Sequence, residues 1–534
     1  MKLHIFIFSL LLISIHSFCQ VGVGTGTPNP SAVLDLVSPD KGLLLPRISL
    51  VKTSDFQPLK SHIAGMVIYN KALVNDVKPG YYFNDGTKWI NISETVEKVN
   101  EQQARIADLE NSIPIKRAIF IAGQSNTTNG MGFANIPDFS GKNLSQLGRF
   151  GVNLEVVPLT FYGTYQNIQN VNGGSFGSVF LYHHYNKLRQ EYPNRAIQLL
   201  LIPCGATTSG WAASQYPGNS WRTDAAYFAD IVSRIKWAKN NGYQVDAFLW
   251  HQGETDALAQ TVNYKDIIKN FIQSIRDYAA NQKLPFILGE MAHGWVAATP
   301  SAIPYQAVIN DIPNEVPYTG TSSSAGLSMS DGIHFDAQGH VDLGLRYYNK
   351  YLTAINNSSP SNYTVPANGE HLVFNYNSST GLVFPDIFSS LRFDTNPSDL
   401  RYSVLGDIWK YKNSDEFFHF KLEVVNGTGI SGGVFEWKQK INPFGLSDKN
   451  IEDRSGFVIL ANTIGLNTSA GQRFTSLAYD TPANSTSFAT LFHADVRSNQ
   501  SYFSIGQTVL SGNNIPIIET NNTVNHVRLY CIKE

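Results

Sequence analysis

Residues 118–126 read AIFIAGQSN, an apolar run of strand length that ends in a short polar motif containing Ser125. Similar apolar runs stand at 197–202, 245–250 and 285–288, with longer helical patterns between them. Strands that alternate with helices predict a parallel sheet covered by helices on both faces. Functional groups lie at the carboxyl ends of the strands in such a sheet, so Ser125 is expected at a crevice.

Two further motifs accompany the first. His251-Gln252-Gly253-Glu254 directly follows the run at 245–250, and Asp331-Gly332-Ile333-His334 comes before a predicted helix that begins near Ala337. Each motif alone is weak, but together they supply a nucleophile, an amide donor and an acid–base pair. These are the groups that an acyl-transfer enzyme needs.

The expected roles follow from the chemistry of each side chain. A serine hydroxyl attacks only when a base removes its proton, so His334 is the predicted base for Ser125. Asp331 lies three residues before His334 and can turn back to accept the other imidazole N–H. Taken alone, this Asp-x-x-His spacing is also common by chance in sequences without such a role.

An oxyanion requires donors in place before charge develops. The candidates are the backbone N–H of Ser125, the N–H of Gly177 before a helix predicted from Ser178, and the Gln252 side chain. The alternative for Gly177 is a plain turn glycine, with Gly173 or Gly174 as the donor instead. Supporting roles fall to Asn126, His251 and Glu254; the last either orients its loop or acts as a second acid beside His334.

Aromatic and polar residues in predicted loops either line a sugar cleft or are structural. They are Trp211, Trp221, Glu290, His293 and Trp295. No His, Cys and Asp cluster has metal-ligand spacing and no glycine-rich phosphate loop follows a strand, so the sequence predicts neither a metal nor a cofactor.

Composition and the N-terminus predict a secreted protein. The formal net charge of -2 over 534 residues gives no reason to expect a nucleic-acid partner. Residues 1–19 resemble a signal peptide, with basic Lys2, a short apolar stretch and a cleavage site after Cys19. No later segment is apolar enough to span a bilayer. Cys204 and Cys531 are then expected as separate buried thiols.

Three further segments flank or precede the central region. Residues 20–91 are β-rich and resemble a tail-fibre-like stalk; residues 357–534 predict an antiparallel β-sandwich or jelly roll that binds glycan or packs beside the active site. In 92–113, Ile92, Val99, Ile106 and Ile113 recur every seven residues. This pattern fits a trimeric coiled coil or a lone linker helix.

The three motifs resemble those of SGNH-type hydrolases, in the branch of sialate O-acetylesterases and acetylxylan esterases. The resemblance covers residues 115–356 and includes the stretch from 202 to Trp211; Thr127 departs from it where methionine is common. It implies a three-layer α/β/α fold of the flavodoxin-like type for 114–356. It also implies Ser125, His334 and Asp331 as the catalytic residues, with Gly177 and Gln252 completing the oxyanion hole.

The resulting expectation is a secreted serine esterase that removes O-acetyl groups from a carbohydrate through an acetyl-enzyme. A surface adhesin with a secondary or inactive hydrolase domain is the main alternative. An esterase of lipid or peptide esters is a second, disfavoured because no long apolar lid segment is visible. A glycosidase using Glu254 and Asp331 is a third, and it leaves the Ser–His arrangement unexplained.

Overall fold

A computed structural model gives the fold of most of the chain. The chain forms two compact units, one up to Glu110 and one from Asn111 onward. The predicted signal peptide at 1–19 lies outside the described residues. The structure describes residues 20–128, 142–148, 154–158, 175–211, 220–221, 226–377, 392, 396–398, 401–427, 432–443, 458–463, 473–476, 492–495, 501–503, 515–516 and 524–534.

The N-terminal unit is built from short strands. A parallel pair, β1 and β2, precedes a four-stranded sheet in the order β3-β4-β5-β6. Strands β5 and β6 form an antiparallel hairpin around Gly86, whose φ is +99°. The strands are β1 (Val21–Val23), β2 (Leu34–Leu36), β3 (Arg47–Ile48), β4 (Val67–Asn70), β5 (Gly80–Asn84) and β6 (Trp89–Asn91).

Helix α1 (Ile92–Ser112) follows β6 directly, and the side chain of Asn91 accepts the N–H of Glu94 at 3.0 Å near its start. The apolar residues of the heptad pattern are not buried within the chain: Val99 is 46% exposed, Ile106 56% and Leu109 64%. A helix that leaves such a stripe uncovered has a surface suited to pairing with other helices.

The second unit contains a seven-stranded sheet in the order β13-β12-β11-β7-β10-β8-β9. The first six strands run parallel, as predicted, and edge strand β9 pairs antiparallel with β8. The strands are β7 (Ile115–Gly123), β8 (Leu144–Leu147), β9 (Val156–Pro158), β10 (Ile197–Pro203), β11 (Gln244–His251), β12 (Phe286–Gly289) and β13 (Thr319–Ser322).

Helices cover both faces of this sheet. Successive strand residues point to opposite sides, so the apolar strands need cover on each face. Phe120 packs in a core with α3 and α5, whereas its neighbour Ile119 packs in a second core with α2 and α8. The predicted three-layer α/β/α fold is therefore confirmed. The helices are α2 (Phe176–Glu191), α3 (Ala226–Asn240), α4 (Glu254–Ala259), α5 (Tyr264–Ala279), α6 (His293–Ala298), α7 (Ile303–Glu315) and α8 (Ala337–Ala354).

The C-terminal region is β-rich, as predicted. Its main sheet is antiparallel, in the order β15-β14-β23-β16-β17-β18, and a second sheet has the order β19-β20-β21-β22. The strands are β14 (Gly369–Asn377), β15 (Arg401–Ser403), β16 (Phe418–Gly427), β17 (Gly433–Gln439), β18 (Val458–Asn462), β19 (Arg473–Ser476), β20 (Phe492–Asp495), β21 (Ser501–Phe503), β22 (Ile515–Pro516) and β23 (Val524–Lys533).

The C-terminal region shares one apolar core with the α/β sheet, although the sequence predicts two domains there. Helix α5 lies between them, and every residue of it except Lys265 is buried. Asn270 on this helix donates to the carbonyl of Gly406 at 3.0 Å and accepts from Asn442 at 3.0 Å. These buried polar contacts fix the C-terminal region against the helix.

Two smaller predictions can be compared with the described residues. Cys204 and Cys531 are both buried and form no disulfide, as expected. Within the described part of the chain, no helix combines the length and the apolar character that crossing a membrane requires.

Candidate active site

Ser125 lies where the central strand β7 ends. Gly123, the last residue of β7, pairs with His251 at the end of β11, and its φ is +126°. A Cβ at Gly123 would lie 2.0 Å from the carbonyl oxygen of His251, so only glycine fits. The N–H of Gln124 then donates to that oxygen at 2.9 Å, and the chain turns into a short 3-10 helix at Ser125.

Asp331 and His334 lie on the loop that connects β13 to α8. The loop is a tight turn in which Gly332 has a φ of +85°. One carboxylate oxygen of Asp331 accepts the N–H groups of Ile333 at 3.1 Å and His334 at 2.8 Å. The other lies 2.7 Å from Nδ1 of the His334 ring. The same carboxylate therefore shapes the turn and orients the imidazole.

The three residues form one hydrogen-bonded chain. Nε2 of His334 lies 2.8 Å from Oγ of Ser125, although 209 positions separate them in the sequence. With Nδ1–H donated to Asp331, Nε2 is the acceptor for the serine O–H. This arrangement allows His334 to take the hydroxyl proton while Asp331 stabilises the imidazolium.

Solvent exposure decreases along this hydrogen-bonded series, from Asp331 through His334 to Ser125. The Asp331 side chain is 52% exposed and that of His334 26%, whereas Ser125 is only 8% exposed. Partial desolvation raises the pKa of Asp331, but the hydrogen bonds from His334 and Ile333 outweigh it, so the pKa lies below its usual value. Asp331 is therefore an anion at neutral pH, as a partner for the imidazolium must be.

Asn126 holds the loop that carries His334. Its side chain is fully buried, donates from Nδ2 to the carbonyl of Ile333 at 3.1 Å and accepts the N–H of Phe335 at 3.2 Å. It thus grips the backbone on both sides of His334. The sequence predicts only that Asn126 has a supporting role. The structure shows that this role is to hold the backbone around His334.

We expect Asn126→Ala to lower kcat by about 10²-fold, because a catalytic group displaced by about 1 Å loses that much. KM should change little, since the side chain is buried behind the loop. Steady-state kinetics on a soluble acetyl ester, with Thr127→Ser as the neighbouring control, tests this expectation. A raised KM with an unchanged kcat would instead assign Asn126 to substrate binding.

The predicted oxyanion role of Gln252 requires correction. Its amide is fully buried and donates to the carboxylate of Asp256 and to the carbonyl of Ser209 at 3.3 Å. Its Oε1 accepts the O–H of Tyr264 at 3.1 Å. Both amide hydrogens are thus used within the core, because buried Asp256 needs donors. The sequence reasoning missed Asp256, whose only signal is its place two residues after Glu254.

Gly177 lies in the first turn of α2, which begins two residues earlier than expected. A Cβ there would lie 2.9 Å from the side chain of Ile121 and 3.4 Å from that of Leu201. Close packing of the helix on the sheet therefore explains the glycine, and its role as an oxyanion donor stays a prediction. The alternative glycines at 173–174 lie outside the described residues.

His251 is a buried structural residue. It is fully buried, with Nδ1 3.2 Å from the hydroxyl of Tyr347. Burial, followed by the nearby His340, lowers its pKa to about 3, so the ring is neutral. His251 supports the site through its backbone carbonyl, which accepts the N–H of Gln124.

Glu254 is buried, and its carboxylate has no hydrogen-bond or ion-pair partner among the described residues. It is 1% exposed, and neither carboxylate oxygen forms a hydrogen bond among the described residues. Burial raises its pKa to about 7, and the nearby backbone N–H groups of Glu254 and Gly253 offset part of that effect. Nδ1 of His334 is occupied by Asp331, so the geometry gives Glu254 no direct contact with the base.

We expect the protonation of Glu254 to affect stability. Its pKa is higher in the folded chain than the ordinary 4.5, so the free energy of unfolding falls as pH rises from 4.5 to about 7. This one group accounts for about 3 kcal/mol at most. Glu254→Gln should remove that decrease, as measured by urea unfolding at pH 4.5 and 8. Parallel stability curves for the two proteins would contradict the assignment.

Two of the three tryptophans proposed as sugar platforms lie in the core. Trp211 is 2% exposed and Trp221 is fully buried, with its Nε1 donating to Oγ of Ser209 at 2.8 Å. Glu290 accepts the N–H of Ser324 at 2.9 Å, and His293 lies 2.9 Å from Glu290. Trp295 packs against the apolar core. Trp211 and Trp221 are therefore structural.

Comparison with known families follows the same division of the chain. Residues 116–353 match the family of carbohydrate esterases described as sialic acid-specific acetylesterases. We call this matched segment the esterase domain. The predicted family resemblance is thereby confirmed, and the three motifs all fall inside this esterase domain. Residues 22–105 match a phage tail like trimerisation region, which confirms the resemblance of the N-terminal stalk.

Several solved structures resemble the esterase domain. A protein from Arabidopsis thaliana is 19% identical, covering 45% of this chain and 98% of its own, with a TM-score of 0.34. NanS is 20% identical, covering 46% and 97%, with a TM-score of 0.35. A family 3 carbohydrate esterase from Clostridium thermocellum is 14% identical, covering 45% and 97%, with a TM-score of 0.26. The curated proteins include no match.

Proposed function

We propose that the esterase domain removes O-acetyl groups from a carbohydrate by nucleophilic catalysis at Ser125. The observation that carries the proposal is the hydrogen-bonded chain from Oγ of Ser125 through His334 to Asp331, with distances of 2.8 and 2.7 Å. The carbohydrate esterase family of residues 116–353 supports an acetylated sugar as the substrate.

In the first step, Nε2 of His334 takes the hydroxyl proton while Oγ of Ser125 attacks the ester carbonyl carbon. The carbonyl oxygen becomes an oxyanion, for which the backbone N–H of Ser125 is the candidate donor. The tetrahedral intermediate collapses, the sugar oxygen leaves with the proton from His334, and acetyl-Ser125 remains. Asp331 stabilises the imidazolium throughout.

In the second step, water replaces the sugar. His334 takes one proton of the water while the water oxygen attacks the acetyl carbon. His334 then gives this proton to Oγ of Ser125. Acetate leaves and the free serine is restored. The ester linkage is thus exchanged for one alcohol and one carboxylic acid, with no other reactant required.

Acetate release from a panel of acetylated glycans tests this proposal. The panel contains acetylated xylan, pectin, peptidoglycan fragments and O-acetylated sialic acid, with p-nitrophenyl acetate as a simple ester and a long-chain ester as a control. We expect release from at least one glycan and little from the long-chain ester. No release from any acetate ester would contradict the proposal and favour a glycan-binding adhesin.

We further propose that the protein is secreted and forms a homotrimer through its N-terminal region. The signal-peptide pattern of residues 1–19 supports secretion. The phage tail like trimerisation match at 22–105 and the exposed apolar stripe of α1 support the trimer. Three esterase domains on one stalk would then act together on a polymeric substrate.

Paired substitutions on α1 test the trimer in the mature chain. Val99→Asn with Ile106→Asn should reduce the solution mass from three chains to one. Both side chains are exposed in a single chain, so the change removes apolar contacts between chains and not contacts within one. Lys98→Asn with Arg105→Asn is the matched control and should stay trimeric. Light scattering measures the mass, and a monomeric wild type would refute the trimer.

A further inference from the structure

A cavity that Ser125, Asp331 and His334 do not line lies where helices α5 and α7 meet the C-terminal region. Its volume is about 650 Å³, within the range of about 300–1,000 Å³ typical of small-molecule sites. Lys265, Lys269, Tyr305 and Val308 line one side, and Arg392 and Lys410 from the C-terminal region line the other. None of these side chains belongs to the three catalytic motifs.

The charged groups around this cavity are paired. Lys269 lies 3.1 Å from Asp266 and 3.2 Å from Glu315. Arg392 lies 2.9 Å from Asp266 and 2.7 Å from Asp407. The remaining two cations, Lys265 and Lys410, contact Asp311 and Asp407 at 2.5 and 3.1 Å. The cavity wall therefore alternates donors and acceptors with little net charge.

This lining favours a neutral, hydroxyl-rich ligand. An ion would have to displace a member of an existing pair, whereas a sugar hydroxyl donates to a carboxylate and accepts from an ammonium or guanidinium group at once. Tyr305 and Val308 add apolar surface for the C–H face of a sugar ring. Ligand sites also occur preferentially where two lobes of a protein meet.

The cavity is rigid on the side of α5. Asp266 and Lys269 are both only 5% exposed, and Gly406 approaches Asp266 so closely that a Cβ there would lie 2.3 Å from the carboxyl carbon. A floor fixed in this way presents its charged groups without reorganisation on binding, which lowers the entropic cost of association.

We propose that this cavity is a second carbohydrate site, which binds a neutral oligosaccharide segment of the polymer that the esterase domain deacetylates. The inference rests on the proposed function for the identity of the polymer, but not for the binding itself. It assigns glycan binding to the junction between the two lobes rather than to the C-terminal sheets alone.

The test is binding of deacetylated oligosaccharides to the full mature chain. An array of neutral xylan-, mannan- and glucan-derived oligosaccharides, with oligogalacturonate and N-acetylneuraminic acid as anionic probes, identifies a binder for calorimetry. Val308→Trp fills the cavity and should weaken binding at least about tenfold. Ile303→Trp lies on the same helix but outside the cavity, and should bind like the wild type.

A second variant guards against a folding defect in the first. Lys410→Gln removes a half-buried cation of the lining and should also weaken binding. Both variants should hydrolyse p-nitrophenyl acetate at the wild-type rate. Undiminished binding in both, a preference for the anionic probes, or no binding of any neutral probe would overturn the inference. Lost acetate release with binding intact would overturn only the proposed function.

Discussion

Ser125→Ala is expected to reduce kcat for acetate release by about 10⁶-fold, as removal of the nucleophile does in a serine hydrolase. The fold should be unaffected, because the hydroxyl contacts only His334 among the described residues and the loss of one Oγ leaves no large cavity. Acetate release and thermal unfolding measured on the same preparation test both parts.

The matched control is Ser233→Ala, which removes an exposed serine from α3. It should have wild-type activity. An Ser125→Ala protein that releases acetate within tenfold of the wild type would show that another group attacks the ester, and the proposed mechanism would fail.

Asp331→Asn is expected to lower kcat by about 10⁴-fold, because an amide in place of the carboxylate favours the wrong tautomer of the base. The turn should survive in part, since an amide oxygen still accepts the N–H groups of Ile333 and His334.

Glu254→Gln separates the two candidate acids. Glu254 has no hydrogen bond to His334, so its replacement should alter kcat far less than Asp331→Asn does. If Glu254→Gln proves as damaging to kcat as Asp331→Asn, the assignment of Asp331 as the partner of His334 is wrong.

Much of the fold is predictable because the apolar runs of β7, β10, β11 and β12 are distinct and alternate with helical patterns. Ser125 could be predicted at the end of β7 for the same reason. The meeting of Ser125 with His334 rests on a turn whose geometry is set by one carboxylate and Gly332, and motif spacing alone indicates only that such a turn is feasible.

The assignments that changed depend on tertiary contacts. The Gln252 amide donates to Asp256, a buried acid four residues later, which also accepts the O–H of nearby Thr261 and the N–H of Trp211, 45 positions away. Periodicity and motifs carry no information about that pairing. The contacts of Asn126 around His334 similarly join residues more than 200 positions apart.

The C-terminal region shows the same limit. Its alternating runs predict antiparallel strands correctly, but not that they complete the burial of α5. On that helix, Asn270 contacts Gly406, and Asp277 contacts Lys412 and Asn442. A polar helix face is typical of solvent exposure, and only the partner segment explains why it is buried here.

The most direct measurement of the central claim is active-site labelling with an acetyl-ester-sized phosphonate carrying a p-nitrophenolate leaving group. Peptide mapping should find one adduct per chain on Ser125, none in Ser125→Ala, and much slower labelling in Asp331→Asn. An adduct on another residue, or equal labelling rates in the wild type and Asp331→Asn, would contradict a serine nucleophile activated by His334 and Asp331.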